Sequence, residues 1–136
     1  MSSIAILLPT RNRPELLKRF WKSIVDTADD ASSVFMYLYI DDDDTVSVSA
    51  AEDLMSESDN VFYFVGPRIV HSDMSNVLFR ETQGEDIIFL GGDDLIMKTQ
   101  GWDTIVKSKF DEVDDKIALV YGKDGGESQH PVEFAT

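Results

Sequence analysis

Two adjacent carboxylates, Asp93 and Asp94, follow Gly91 and Gly92 at the end of a short apolar run, Ile87 to Leu90. The run has the length and content of a buried strand. The two glycines take backbone conformations that other residues avoid, so the strand breaks there and presents paired acids at its carboxyl end. In open α/β sheets ligands bind outside the carboxyl ends of strands. Adjacent carboxylates repel each other unless a positive charge lies between them and a ligand. A hard divalent cation, Mg2+ or Mn2+, suits such oxygens, held by one or two carboxylates plus substrate phosphates. The plainer alternative is a solvated turn, since Gly-Asp pairs mark turns widely.

The elements that must position these acids follow from hydrophobic period. Ser3 to Leu8 reads as a first strand stopped by Pro9. Thr10 to Arg13 is a polar loop, and Pro14 opens a helix with Glu15 in its first turn. Leu16, Leu17, Phe20, Trp21, Ile24 and Val25 share one face of that helix, with Lys18, Arg19 and Lys22 on a solvated face. Val34 to Ile40 is a second strand, apolar or aromatic on both sides, as expected of a sheet covered on both faces. It ends in Asp41 to Asp44, of which one of the first two is expected to matter and the last two to be solvated. A weak helix over Val48–Met55 and a third strand over Val61–Val65 come next. A helix capped by Ser72 or Asp73 is expected to run to Glu81, with Gly84 just past its end. After the fourth strand, Trp102, Ile105, Val106, Phe110 and Val113 form another helical stripe. Ile117 to Tyr121 is a fifth strand, and Gly122 to Thr136 has no periodicity. Strands alternating with helices predict an α/β fold with a mainly parallel sheet and right-handed crossovers. Three polar clusters then fall after strand carboxyl ends: Thr10 to Arg13, Asp41 to Asp44, and Gly91 to Asp94. That coincidence predicts a ligand site.

Composition bounds the function. The chain has 136 residues, enough for one domain with a real core, and an apolar share of 43% typical of globular proteins. Twelve Lys plus Arg against 26 Asp plus Glu give a net charge of −14. That balance excludes a nucleic-acid backbone as partner, while leaving room for a small phosphorylated ligand bridged by a metal. Without cysteine there is neither a disulfide framework nor a thiolate site. The apolar run Ile4 to Pro9 is too short for a signal peptide or a membrane span, so a cytoplasmic protein without a transmembrane segment is expected.

The stretch Leu7 to Leu17, then Tyr39 to Asp42, then Asn76 eight residues before Gly84, then Phe89 to Asp94, resembles family 2 glycosyltransferases of the GT-A fold. The variant Gly91-Gly92-Asp93-Asp94 with Gly101-Trp102-Asp103 is closest to small phage and bacterial members. The resemblance runs from about Ile4 to about Tyr121. It implies a single Rossmann-like domain over residues 1–136, with strand order 3-2-1-4 and helices on both faces. It also implies a hexosyltransferase-like enzyme that moves a sugar from a UDP-, GDP- or dTDP-sugar to an unknown acceptor, with Mn2+ or Mg2+ on the diphosphate. By position, Thr10 and Arg11 or Arg13 line the nucleotide pocket, and Asp41 or Asp42 bonds the base or ribose. Asn76 faces the same pocket, Arg68 or His71 lies near the diphosphate, and Asp93 and Asp94 hold the metal. Some GT-A enzymes use a late histidine as a further metal ligand, which here points to His130.

The chain departs from the family pattern at Gly91, where the motif usually opens with an acid. It also ends at Thr136, before the family's acceptor-binding half and usual catalytic base, so a C-terminally short chain is expected, either a fragment of a longer protein or a minimal or degenerate member. The catalytic residue is left unassigned; of the acids in the tail, Glu127 is the only one well placed by order along the chain. The rival reading is a non-catalytic or degenerate nucleotide-binding module, a donor-binding half-domain. The bland readings are that Trp21, Trp102, Tyr37 and Tyr39 are packing residues, and that Arg11, Arg13, His71, Asn76 and His130 are ordinary surface groups.

Overall fold

Four apolar runs form one parallel sheet: β1 (Ile4–Thr10), β2 (Val34–Asp41), β3 (Val61–Gly66) and β4 (Ile87–Leu90). Their order is β3-β2-β1-β4, as the resemblance implied. The computed structural model describes residues 3–82, 84–85, 87–93, 95–111, 123–124 and 131–133. The chain divides into two compact units, Met1–Lys18 with Ser32–Asp93, and Arg19–Ala31 with Asp94–Thr136.

The first unit holds the parallel sheet. β1 pairs with β2 from Ile4↔Val34 to Thr10↔Ile40 and with β4 from Ile4↔Ile87 to Leu7↔Leu90. The chain steps one way across the sheet from β1 to β3 and then returns past β1 to β4. Right-handed crossovers therefore put α2 (Thr45–Glu57) and α3 (His71–Glu81) on opposite faces. The α3 face carries Ala5, Leu7, Tyr37, Tyr39 and Leu78, with Met74 and Val77 of α3 and Phe62 and Phe64 of β3 packed against them. On α2 the buried positions are Ser47, Ala50, Ala51 and Leu54, mostly small residues that let the helix lie close.

β1 runs through Pro9 rather than stopping before it. The carbonyl of Leu7 accepts the N–H of Gly91, so Leu7 turns its backbone groups toward β4. Pro9 shares that parity, and β4 has already ended at Leu90. Its missing N–H falls where no strand needs it. α3 starts at His71, one residue before the expected caps. Its N-cap position is Val70, which makes no side-chain cap, and Asp73 lies in the first turn.

In the second unit, most of α1 (Pro14–Thr27), β5 (Ile96–Met97), α4 (Trp102–Asp111), β6 (Lys123–Asp124) and β7 (Pro131–Glu133) are joined by local bonds. β7 runs parallel to β5 and antiparallel to β6. These strands were not expected; at two or three residues they carry no readable period. Phe20, Trp21, Ile24, Met97, Trp102 and Val106 are buried, which makes both tryptophans packing residues. Gly101, Trp102 and Asp103 act as one structural clasp. Gly101 has φ +74, and a Cβ there would lie 2.9 Å from the Asp29 carboxylate. The Trp102 indole N–H donates to the Ile24 carbonyl at 3.4 Å. The Asp103 carboxylate accepts the backbone N–H groups of Asp29 and Asp30 at 2.8 and 2.9 Å. The expected stripe residue Val113 and the expected fifth strand, Ile117 to Tyr121, lie outside the described residues. Among the described residues no helix is long and apolar enough to cross a membrane.

Candidate functional site

The site grows from the place of β1 between β2 and β4. The loop that follows β1 emerges with the end of β2 on one side and the end of β4 on the other. Each end carries an acid, Asp41 on β2 and Asp93 after β4, and the loop brings two arginines between them. Arg11 Nη1 donates to Asp41 Oδ2 at 2.6 Å and to Asp43 Oδ1 at 3.0 Å. Arg13 Nη1 donates to Asp93 Oδ1 at 3.3 Å, and Thr10 Oγ1 donates to Asp93 Oδ2 at 2.8 Å. Helix α1 begins at once, its first bond running from the Leu17 N–H to the Arg13 carbonyl.

Thr10, Arg11, Arg13, Asp41 and Asp93 therefore share one carboxyl-end site. Asp41 is 2% exposed, and its Oδ1 is buried with no hydrogen-bond partner among the described residues. A buried carboxylate oxygen left unbonded is costly, so this one calls for a further donor, whether from water, an ion or a ligand. The Asp43 carboxyl is held below its ordinary value by the hydrogen bond from Arg11 and then by the Arg11 charge, with Arg68 adding to the same effect. Arg11 is correspondingly raised by its hydrogen bonds to Asp43 and Asp41. The Tyr39 phenol is pushed up by burial and by the charges of Asp41 and Asp42, and it donates to the Pro67 carbonyl at 2.6 Å.

The other expected site residues are placed as follows. Asp42 is exposed and its backbone N–H donates to the Gly66 carbonyl. Arg68 is exposed, close enough to act on Asp43. Asn76 takes no part in the arginine–carboxylate contacts. It lines a cavity of about 580 Å³ with Leu7, Ser75, Phe79, Ile88, Leu90 and Gly91. Asp94 and His130 lie outside the described residues, as does Glu127.

Asp44 departs from the expectation of a solvated residue. It is 2% exposed, because its Oδ2 accepts the Asn12 N–H at 2.8 Å and its Oδ1 the Ser47 N–H at 3.2 Å. The second bond caps α2, which starts at Thr45 rather than Val48. The readable signal was an aspartate directly before the helical run.

A model of glycosyl transferase family 2 matches residues 5–129 of the chain. The chain belongs to that family. Among solved structures, the mannosyltransferase PcManGT from Pyrobaculum calidifontis, in complex with GDP-Man and Mn2+, superposes with a TM-score of 0.64. The two share 13% identity over 88% of this chain and 33% of that one, a likeness that shows the GT-A fold. This family member thus spans about a third of the length of that neighbour. No curated protein matches it.

The donor set can be tested for a cation. Among the described residues no group of three or more acids or histidines converges on one point. Asp93 offers a largely buried carboxylate that accepts the Thr10 hydroxyl. One carboxylate with phosphate oxygens and water suits Mg2+ or Mn2+.

Proposed function

We propose that residues 1–136 form the nucleotide-sugar-binding part of a glycosyltransferase that moves a hexosyl group from a UDP-, GDP- or dTDP-sugar to an acceptor, with Mn2+ or Mg2+ at the diphosphate. The observation that carries this reading is the unbonded Asp41 Oδ1, buried beside Arg11 at the carboxyl edge of the sheet. In a ligand-free protein Arg11 lies against Asp41 and Asp43. A diphosphate offers the guanidinium a better bidentate partner. As Arg11 turns to the phosphates, Asp41 is uncovered and accepts a donor group of the base or ribose. Arg13 makes the same exchange on the other side, leaving Asp93 for the cation.

Each chain residue then has a defined task. Thr10 orients Asp93, Arg68 adds positive charge toward the phosphates, and Asn76 contributes from the neighbouring cavity. Asp94 and His130 are proposed as further ligands of the cation. Negative charge grows on the diphosphate as the sugar–phosphate bond breaks, so the arginines stabilise the transition state more than the ground state. When bound, the cation supplies Lewis-acid stabilisation of the same leaving diphosphate. The match to the family model and the fold shared with a GDP-Man-bound mannosyltransferase support the reading.

Calorimetry of UDP, GDP and dTDP, each with and without Mn2+, tests it. One nucleotide is expected to bind, and Mn2+ is expected to raise its affinity by roughly 5–150-fold, the usual range of coupling between two sites. Nucleotide must raise Mn2+ affinity by the same factor. Equal affinity in both conditions would contradict the metal role, and no binding of any nucleotide would contradict the function. Binding without sugar transfer in the full-length protein would favour a non-catalytic binding module.

A further inference from the structure

The loop Arg11-Asn12-Arg13 is held in an unusual shape. Asn12 has φ 51, in the left-handed region that non-glycine residues seldom enter and asparagine tolerates best. This residue separates two arginines that serve opposite sides of β1, Arg11 at the end of β2 and Arg13 at the turn after β4. In an extended segment, side chains two apart point to the same face. The left-handed residue between them removes that constraint.

What holds Asn12 is Asp44. A carboxylate this deeply buried is rare unless its oxygens are bonded, and here both accept backbone N–H groups, Asn12 on one oxygen and Ser47 on the other. Its own N–H bonds back to the Asp41 carbonyl. One side chain thus joins the start of α2, the end of β2 and the arginine loop. Capping alone needs only one oxygen, and serine does it as well as aspartate. The second oxygen serves the loop.

We infer that Asp44 is a positioning residue, which holds Asn12 in the left-handed conformation and so aims Arg11 and Arg13 at the nucleotide diphosphate. This rests on the proposed nucleotide site. Asp44 touches no substrate in this scheme and acts only through the loop backbone. Its contribution is pre-organisation: without it, the loop must be ordered each time a diphosphate binds.

The test separates the cap from the loop. Asp44→Ser keeps an oxygen for the Ser47 N–H but is too short to reach Asn12, whereas Asp44→Ala loses both bonds. Amide hydrogen exchange and nucleoside diphosphate binding with Mn2+ are measured on the full chain. In both variants the Asn12 amide should exchange faster, and affinity for the preferred diphosphate should fall about tenfold, the effect of weakening a charge-assisted contact. In Asp44→Ser the Ser47 amide should stay protected and the melting temperature should match the wild type, which a purely structural role would not allow alongside lost affinity. Wild-type affinity in Asp44→Ser, or an Asn12 amide still protected there, overturns this inference alone. A wild-type protein that binds none of the diphosphates overturns the nucleotide reading, and this inference with it.

Discussion

Asp41→Asn is expected to weaken nucleoside diphosphate binding by roughly 10–150-fold, the loss of a hydrogen bond to a charged group at ~1.5–3 kcal/mol. The same substitution is expected to leave the melting temperature unchanged or raise it. The two effects come from one feature of the structure. Asp41 Oδ2 is bonded to Arg11, and Arg11 keeps Asp43 as a second partner if Asp41 loses its charge. Asp41 Oδ1 has no partner among the described residues. In the ligand-free protein that oxygen contributes a desolvation cost and no bond to the described residues, so neutralising it is expected to remove a penalty. In the proposed complex it would accept a donor group of the nucleoside. Parallel losses of stability and affinity would instead make Asp41 a structural residue, and the nucleotide site would have to lie elsewhere.

Trp102→Ala is expected to destabilise the protein by ~3–5 kcal/mol, the usual cost of deleting a buried tryptophan side chain. For a chain of this size that corresponds to a fall in melting temperature of roughly 10–20 °C. The side chain is fully buried and its indole N–H reaches the Ile24 carbonyl. On either side of it, Gly101 donates its N–H to the Thr27 carbonyl and Asp103 takes the N–H groups of Asp29 and Asp30. Losing the ring opens a cavity among contacts that tie the end of α1 to the start of α4. Thermal unfolding followed by circular dichroism checks it. A fall of under roughly 3 °C, less than 1 kcal/mol on the same scale, would mean that the clasp is not what holds this unit together.

The parallel sheet was legible because its two central strands, β1 and β2, are buried on both faces. Val34 to Ile40 has no polar position on either side, and such a run admits few other placements. The arginine–carboxylate cluster was legible at the strand ends, where Asp41 closes β2 and Asp93 comes three residues after β4. It was less legible where backbone geometry decides. Pro9 read as a strand terminator, because only the early end of β4 makes its missing N–H harmless. Asp44 read as part of a solvated acidic run, because nothing in the sequence shows that the Asn12 N–H turns toward it. α2 looked weak and short because three of its four buried positions, Ser47, Ala50 and Ala51, are small and give little hydrophobic contrast, with only Leu54 beside them. Asn76 was placed on the right helix, but no pattern in the chain distinguishes the cavity it lines from the arginine–carboxylate cluster.

Nucleotide and cation are proposed to meet at the ends of β1, β2 and β4, beside Asp93. The most direct measurement is paramagnetic broadening of backbone amide signals by substoichiometric Mn2+, with and without the preferred nucleoside diphosphate. With a net charge of −14, the chain can attract Mn2+ weakly over much of its surface, so the comparison between the two conditions carries the answer. Nucleotide is expected to concentrate the broadening on the amides of Gly91, Gly92, Asp93, Arg11 and Asn12, while Ser56 to Ser58 at the far end of α2 stay sharp. Broadening that is spread over the acidic surface and indifferent to nucleotide, or that spares Asp93, would contradict it.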